Sequence, residues 1–245
     1  MNLLAVERIK LFTTRSPWWC ALITLALTIG FAALVAGTSS GEPIDLSMVQ
    51  YGGVNFGIAV VMVLATLAVT TEYRFNTIKT TFQAVPHRTP ALLAKAGVVG
   101  IVALVIGEIA GFGAWALAKL IRPDAQIALH STQDWYAVAG LGVVFAFAAV
   151  IAVAIGILVR HSAGAIAILL IYTLLVEKLV TIIPKVGKDI HDWLPFNVAG
   201  KFLNGGGGVE PSSSPLSPGW ALAYFAGVAI VLLGIAIGVA KRRDA

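Results

Sequence analysis

The sequence predicts an all-α membrane protein that crosses the bilayer six times, and three observations predict it. Apolar residues come in continuous blocks near the ~20 residues needed to span a hydrocarbon core, not in amphipathic stripes. The chain is 58% hydrophobic and 12% charged, with a mean hydropathy of +0.90, whereas a soluble domain carries about twice that charge. Lys and Arg gather mainly at the block ends, where they fix topology. The 245 residues could bury a sizeable core in water, but not this much apolar surface. A single transmembrane domain over 1–245 is expected.

The first element, residues 1–15, is an imperfect amphipathic helix. Ala5, Val6, Ile9 and Phe12 share one face, Glu7, Arg8, Lys10 and Arg15 take the other, and Leu3, Leu4 and Leu11 interrupt the pattern. It reads either as a basic flank that sets topology or as an interfacial helix on the inner leaflet. The apolar blocks follow at about 17–37, 52–71, 96–118, 135–159, 162–183 and 219–240. Backbone groups cannot stay unpaired in lipid, so each block should be helical. The blocks do not alternate, which argues against a barrel. The first is longer than a signal h-region and five more follow, so a cleaved leader is not expected. Trp18, Trp19, Trp135 and Trp220 sit at block ends, where amphipathic rings prefer the interface.

With the N-terminus inside, the inner segments hold 11 Lys and Arg residues and the outer segments hold 6. That imbalance puts both termini in the cytoplasm. It also explains the net charge of +5 without nucleic acid as a partner. The longest connection, 184–218, lies outside. It carries five prolines and the run Gly205 to Gly208, its segment 190–196 is apolar enough for a short helix, and 205–218 reads as a mobile, turn-rich connection.

The inner connection 72–90 is the most informative. Glu72 opens it, where an acid near a helix start suits the dipole. Phe75, Ile78, Phe82 and Val85 recur at helical spacing and predict one apolar face, with Arg74, Asn76, Lys79 and Gln83 on the others. Pro86 stops the helix. Arg88 and Lys95 then lead into the third block. A mixed-charge amphipathic segment held to a membrane at both ends suits a docking surface for a soluble partner.

Chemical motifs are few. No G-x-x-x-x-G-K-[ST] loop, H-E-x-x-H helix or acidic calcium loop occurs, nor any nucleophile elbow. His87, His130, His161 and His191 are scattered, and Cys20 stands alone, so no metal site and no disulfide are expected. The chain should not be an enzyme and should bind no cofactor of its own.

Thr71-Glu72-Tyr73, Thr77-Ile78, Val85-Pro86-His87-Arg88 and Ala94-Lys95 resemble the signature loop of ABC type-2 exporter permeases of actinobacterial style. The opening segment with Glu7, Lys10, Arg15, Ser16, Trp18 and Trp19, the junction His161 to Ala167, the stretch Leu216 to Trp220 and the tail Arg242 to Ala245 agree. The resemblance implies a multi-pass permease of the bacterial plasma membrane that moves a hydrophobic or amphipathic substrate (drug, lipid or peptide) outward. It implies pairing with a second permease, identical or related, and docking of two cytoplasmic ABC ATPase subunits, which would hold the ATP and Mg. The 72–85 segment would be the coupling helix, with Glu72, Tyr73, Arg74, Phe75, Thr77, Ile78, Phe82, Pro86 and Arg88 as coupling residues. The N-terminal helix would be an interfacial elbow, and 184–204 would hold short re-entrant outer helices.

Within the blocks, Glu108 admits two readings: a cavity group that meets substrate or a proton, or a structural carboxyl bonded to a neighbouring helix. The first would allow an ion-coupled secondary transporter or channel; a non-transporting scaffold is a further alternative. Asn55, Thr66, Glu108 and Phe112 are the candidate substrate-pathway residues. Glu177 and Lys178 either end the buried part of the fifth block or line a site. The steps Gly107–Gly111 and Gly234–Gly238 suit close helix packing, within the chain or between subunits.

Overall fold

In the computed structural model, residues 3–39, 43–84, 88–125, 127–205 and 211–243 are described. They form helices and connections, with no strand among them. The helices are α1 Leu3–Phe12, α2 Ser16–Thr38, α3 Leu46–Arg74, α4 Thr77–Ala84, α5 Arg88–Ile121, α6 Thr132–Val138, α7 Gly140–Val159, α8 Ser162–Val180, α9 Gly187–His191, α10 Pro195–Asn204 and α11 Pro218–Arg243. Six of them, α2, α3, α5, α7, α8 and α11, are long and apolar enough to cross a membrane.

The most apolar helix, α7, occupies the centre and packs against α5, α3 and α11. A helix that is apolar all round belongs in a core. Its close approach to α5 depends on glycine. A Cβ on Gly107 would fall 2.6 Å from the Gly142 Cα, and one on Gly111 would strike the Val138 carbonyl oxygen. Gly234 and Gly238 of α11 have nothing within 4 Å of an added Cβ. The first glycine step is therefore intrachain packing and the second faces open space. On α2 a stripe at four-residue spacing, Cys20, Thr24, Thr28, Ala32 and Ala36, is buried, while Leu22, Ile23, Leu27 and Leu34 point outward. α2 packs on both α3 and α5, with Thr28 of the stripe against Gly53 and Gly57 of α3, and the large side chains are left outside.

Four predicted spans lie inside longer helices and two are corrected. The fourth block, 135–159, is two helices. A reciprocal cap between Ser131 and Asp134 starts α6, which ends at Val138, so Trp135 lies on this short helix and not at a span end. Continuous apolarity hides such a break, because both pieces are apolar. The fifth helix stops at Val180, three residues before the predicted end. Thr181 turns back to donate to the Lys178 carbonyl at 2.7 Å, and Pro184 blocks continuation.

Two spans contain a π-helical turn, Gly53–Gly57 in α3 and Tyr172–Val176 in α8. In the long connection, α9 and α10 are the short helices. Residues 206–210 of the predicted turn-rich connection lie outside the described residues, as do Val85, Pro86 and His87 of the inner one.

Candidate functional site

The inner connection is built differently from its periodicity. α3 runs on through Glu72, Tyr73 and Arg74, so Glu72 closes one helix and does not open the next. Phe75 caps α3, and Asn76 turns the chain with a left-handed φ of 57°. Asn is one of the few non-glycine residues suited to that region. The next helix, α4, begins only at Thr77. The predicted shared face is thereby broken: Phe75 is 67% exposed, whereas Ile78 is buried. The Phe82 side chain lies outside what is described, as does Pro86. Arg74 is exposed and lays its guanidinium 5.4 Å from the centre of the Phe75 ring.

Four charges meet at the foot of this turn. The Lys95 ammonium donates to Glu7 Oε2 and, at 2.8 Å, to Glu72 Oε1. The Lys10 ammonium lies 2.8 Å from Glu7 Oε1 and 3.4 Å from Glu72 Oε1, and donates to the Thr81 hydroxyl of α4 at 2.9 Å. Lys95, Glu7 and Glu72 are only 4%, 5% and 9% exposed. Charges that deep persist only when paired and hydrogen-bonded. The network therefore ties α1, the end of α3, the start of α5 and one side of α4 into a unit. Burial alone would raise the Glu7 carboxyl, but the Lys95 charge and hydrogen bonds from Lys10 and Lys95 hold it below its ordinary value. Burial likewise opposes the Lys10 charge, and the bond to Glu7 with the nearby Glu72 charge raises it regardless. Only Glu72 Oε2 is left over: it is buried and has no hydrogen-bond partner.

Further contacts bind the same end together. Arg160, itself left-handed at φ 58°, places its guanidinium 5.1 Å from the Tyr73 ring centre. Ser162 Oγ donates to Thr70 Oγ1 at 2.8 Å, which ties α8 to α3. The Arg88 guanidinium reaches the Ala240 and Lys241 carbonyls of α11, each at 3.5 Å. His161 caps α8, its Nδ1 accepting from the Gly164 amide at 3.1 Å.

The substrate-pathway candidates are not brought together. Asn55, on the π turn of α3, lines a cavity of about 420 Å³ at the opposite end of the bundle, and Thr173 on the π turn of α8 lines it too. Thr66 is fully buried and donates to the Met62 carbonyl at 2.8 Å. Glu108 packs its carboxyl over Gly142. Phe112 stacks edge-on to Trp135 at 6.5 Å. Glu177 does more than end a span. It is 4% exposed, lines that same cavity, and accepts from the Phe196 and Asn197 amides at 3.1 and 2.9 Å, which caps α10. The Glu7–Lys95 pairing is missing from the sequence reading. The sequence signals only the Glu72–Lys95 contact, an acid just after the second block and a base just before the third; nothing in it places Glu7 of the N-terminal helix beside them.

A family model described as ABC-2 family transporter protein matches residues 3–176, which includes all four charges, the Asn76 turn and α4. No curated protein matches the chain.

Proposed function

Because this chain belongs to the ABC-2 family of transporter proteins, and is thereby the membrane subunit of an ABC transporter, we propose that α4 receives the stroke of a cytoplasmic ATPase and passes it into the bundle. The carrying observation is the buried network of Glu7, Lys10, Glu72 and Lys95. A displacement of α4 acts on Thr81, hence on Lys10, and through the shared carboxylates on α1, α3 and α5. Motion follows only if the ATPase binds two arrangements of this end unequally, and nucleotide-driven closure supplies that difference. The exposed Phe75 and Arg74 are the docking contacts, and Ile78 anchors α4 to the bundle.

In the full assembly two ATPase subunits hold ATP and Mg, and two permease chains, identical or related, form the pathway. Both termini face the cytoplasm of a bacterial cell, and the whole chain acts as one permease domain. The cargo is hydrophobic or amphipathic, a drug, lipid or peptide, and moves outward. Family resemblance supports cargo and direction; the 11-to-6 distribution of Lys and Arg supports the orientation. Glu108, packed over Gly142, gives no support to an ion-coupled mechanism.

The test is co-purification and reconstitution with a candidate ABC ATPase subunit from the same organism. Phe75→Asp changes an exposed side chain, so insertion should persist while ATPase binding and export fall about tenfold or more, roughly 1.4 kcal/mol. Undiminished binding and export would remove α4 and its turn from the docking surface.

A further inference from the structure

The network borders a cavity of about 580 Å³ enclosed by α1, α2, α3, α4 and α5. That is within the range that holds a small amphiphile. Its two ends differ. One wall is apolar and belongs to the spans: Leu64, Leu67, Ala68, Val98 and Val99, with Leu11 of α1. The other end is a rim of hydroxyls, Thr13, Thr14, Thr71, Thr77, Thr80 and Thr81. Three threonine doublets far apart in sequence, 13–14, 70–71 and 80–81, each send at least one member to this rim.

The rim's hydrogen-bonding capacity is one-sided. Thr13, Thr14, Thr71 and Thr80 spend their protons on the carbonyls of Lys10, Leu11, Leu67 and Thr77, at 3.0, 3.0, 2.6 and 2.7 Å. What each hydroxyl has left is acceptor capacity. Glu72 adds a buried carboxylate oxygen with nothing bonded to it, while its other oxygen takes both lysines. A buried acceptor left open is costly. The two cations in the cavity wall, Lys10 and Lys95, are already engaged by Glu7 and Glu72. The threonine and glutamate side chains of this rim therefore offer acceptors in excess of free donors.

We propose that this cavity is a binding site for a membrane phospholipid with a primary ammonium headgroup, the ammonium turned toward Glu72 and the threonine rim and the upper acyl chain laid along α3 and α5. A phosphatidylethanolamine headgroup supplies three N–H donors. A choline headgroup has the same charge and none, so it leaves the acceptors unfilled. A serine headgroup brings a carboxylate toward Glu7 and Glu72. The bound lipid wedges between α1 and α4, and the site depends neither on the transported cargo nor on the ATPase reading.

The experiment places the full chain in nanodiscs of phosphatidylcholine containing a minor share of phosphatidylethanolamine. Retained lipid is then counted by native mass spectrometry after extraction into mild detergent. One charge-assisted hydrogen bond predicts enrichment of phosphatidylethanolamine by about tenfold or more over its share in the disc. Glu72→Gln should collapse that preference while total retained lipid persists. Thr80→Trp, a change at an exposed rim position that leaves the bundle intact, should expel the lipid. Retention of the two lipids by the unmodified protein in the same proportion as in the disc overturns the proposal, and so does lipid undisturbed by Thr80→Trp.

Discussion

Removing the Lys95 ammonium leaves Glu7 and Glu72 facing Lys10 alone, one negative charge uncompensated in a buried place. Lys95→Met is therefore expected to destabilise the protein by roughly 3–5 kcal/mol, read as a lower unfolding midpoint in detergent. Adding Glu7→Gln restores neutrality and should recover part of that loss; a further loss instead would show that packing, not charge, sets the cost. The same network has a pH signature. Glu7 is held below its ordinary value, so its contribution is full above the unfolded value and fades as pH falls through the depressed one. Lys10 is raised above 10.5, so its contribution is full below that value and fades as pH rises through the elevated one. Unfolding midpoints should thus be flat across neutrality and fall at both extremes, and Glu7→Gln should flatten the acid limb. The sequence displays these residues individually, Glu72 after one block and Lys95 before the next. Their meeting depends on α3 lying beside α5 and on where α1 rests, and helical periodicity carries neither fact.

At the level of elements, helix positions were legible because lipid forbids unpaired backbone, so block length alone fixes most of each span. Interruptions were not legible. The break between α6 and α7 lies inside one apolar run, and the two π turns leave no mark on composition. The Asn76 turn was hidden because its neighbours keep helical spacing. Its left-handed φ makes Asn76→Val costly by about 1–2 kcal/mol, whereas Asn76→Gly should fold at least as well; equal stability of the two would deny the turn. Glycine separates the helix faces in the same way. Gly111→Ala, aimed at the Val138 carbonyl, should cost roughly 1–3 kcal/mol. Gly238→Ala, aimed at open space, should stay within about 0.5 kcal/mol. A Gly238 effect as large as that of Gly111 would place a second chain against α11.

For the whole molecule, α7, α5 and α3 form the buried axis while α2, α8 and α11 stand mostly exposed around it. The described coupling candidates gather at one end and Glu177 with its capped helix at the other. Labelling with a membrane-impermeant maleimide in intact cells checks the orientation, since Cys20 is buried. Asp189→Cys is expected to react and Gln83→Cys to react only after lysis; the reverse pattern would invert the protein. The cavity beside Glu177 carries a further implication. Two of the helices that line it, α3 and α8, each hold a turn wound one residue looser than its surroundings. Such a turn can migrate along a helix without unravelling it, and every residue it passes swings by about 100°. Asn55 and Thr173 sit on those loose turns, so a one-residue shift of either turn would rotate a polar side chain relative to the cavity it lines.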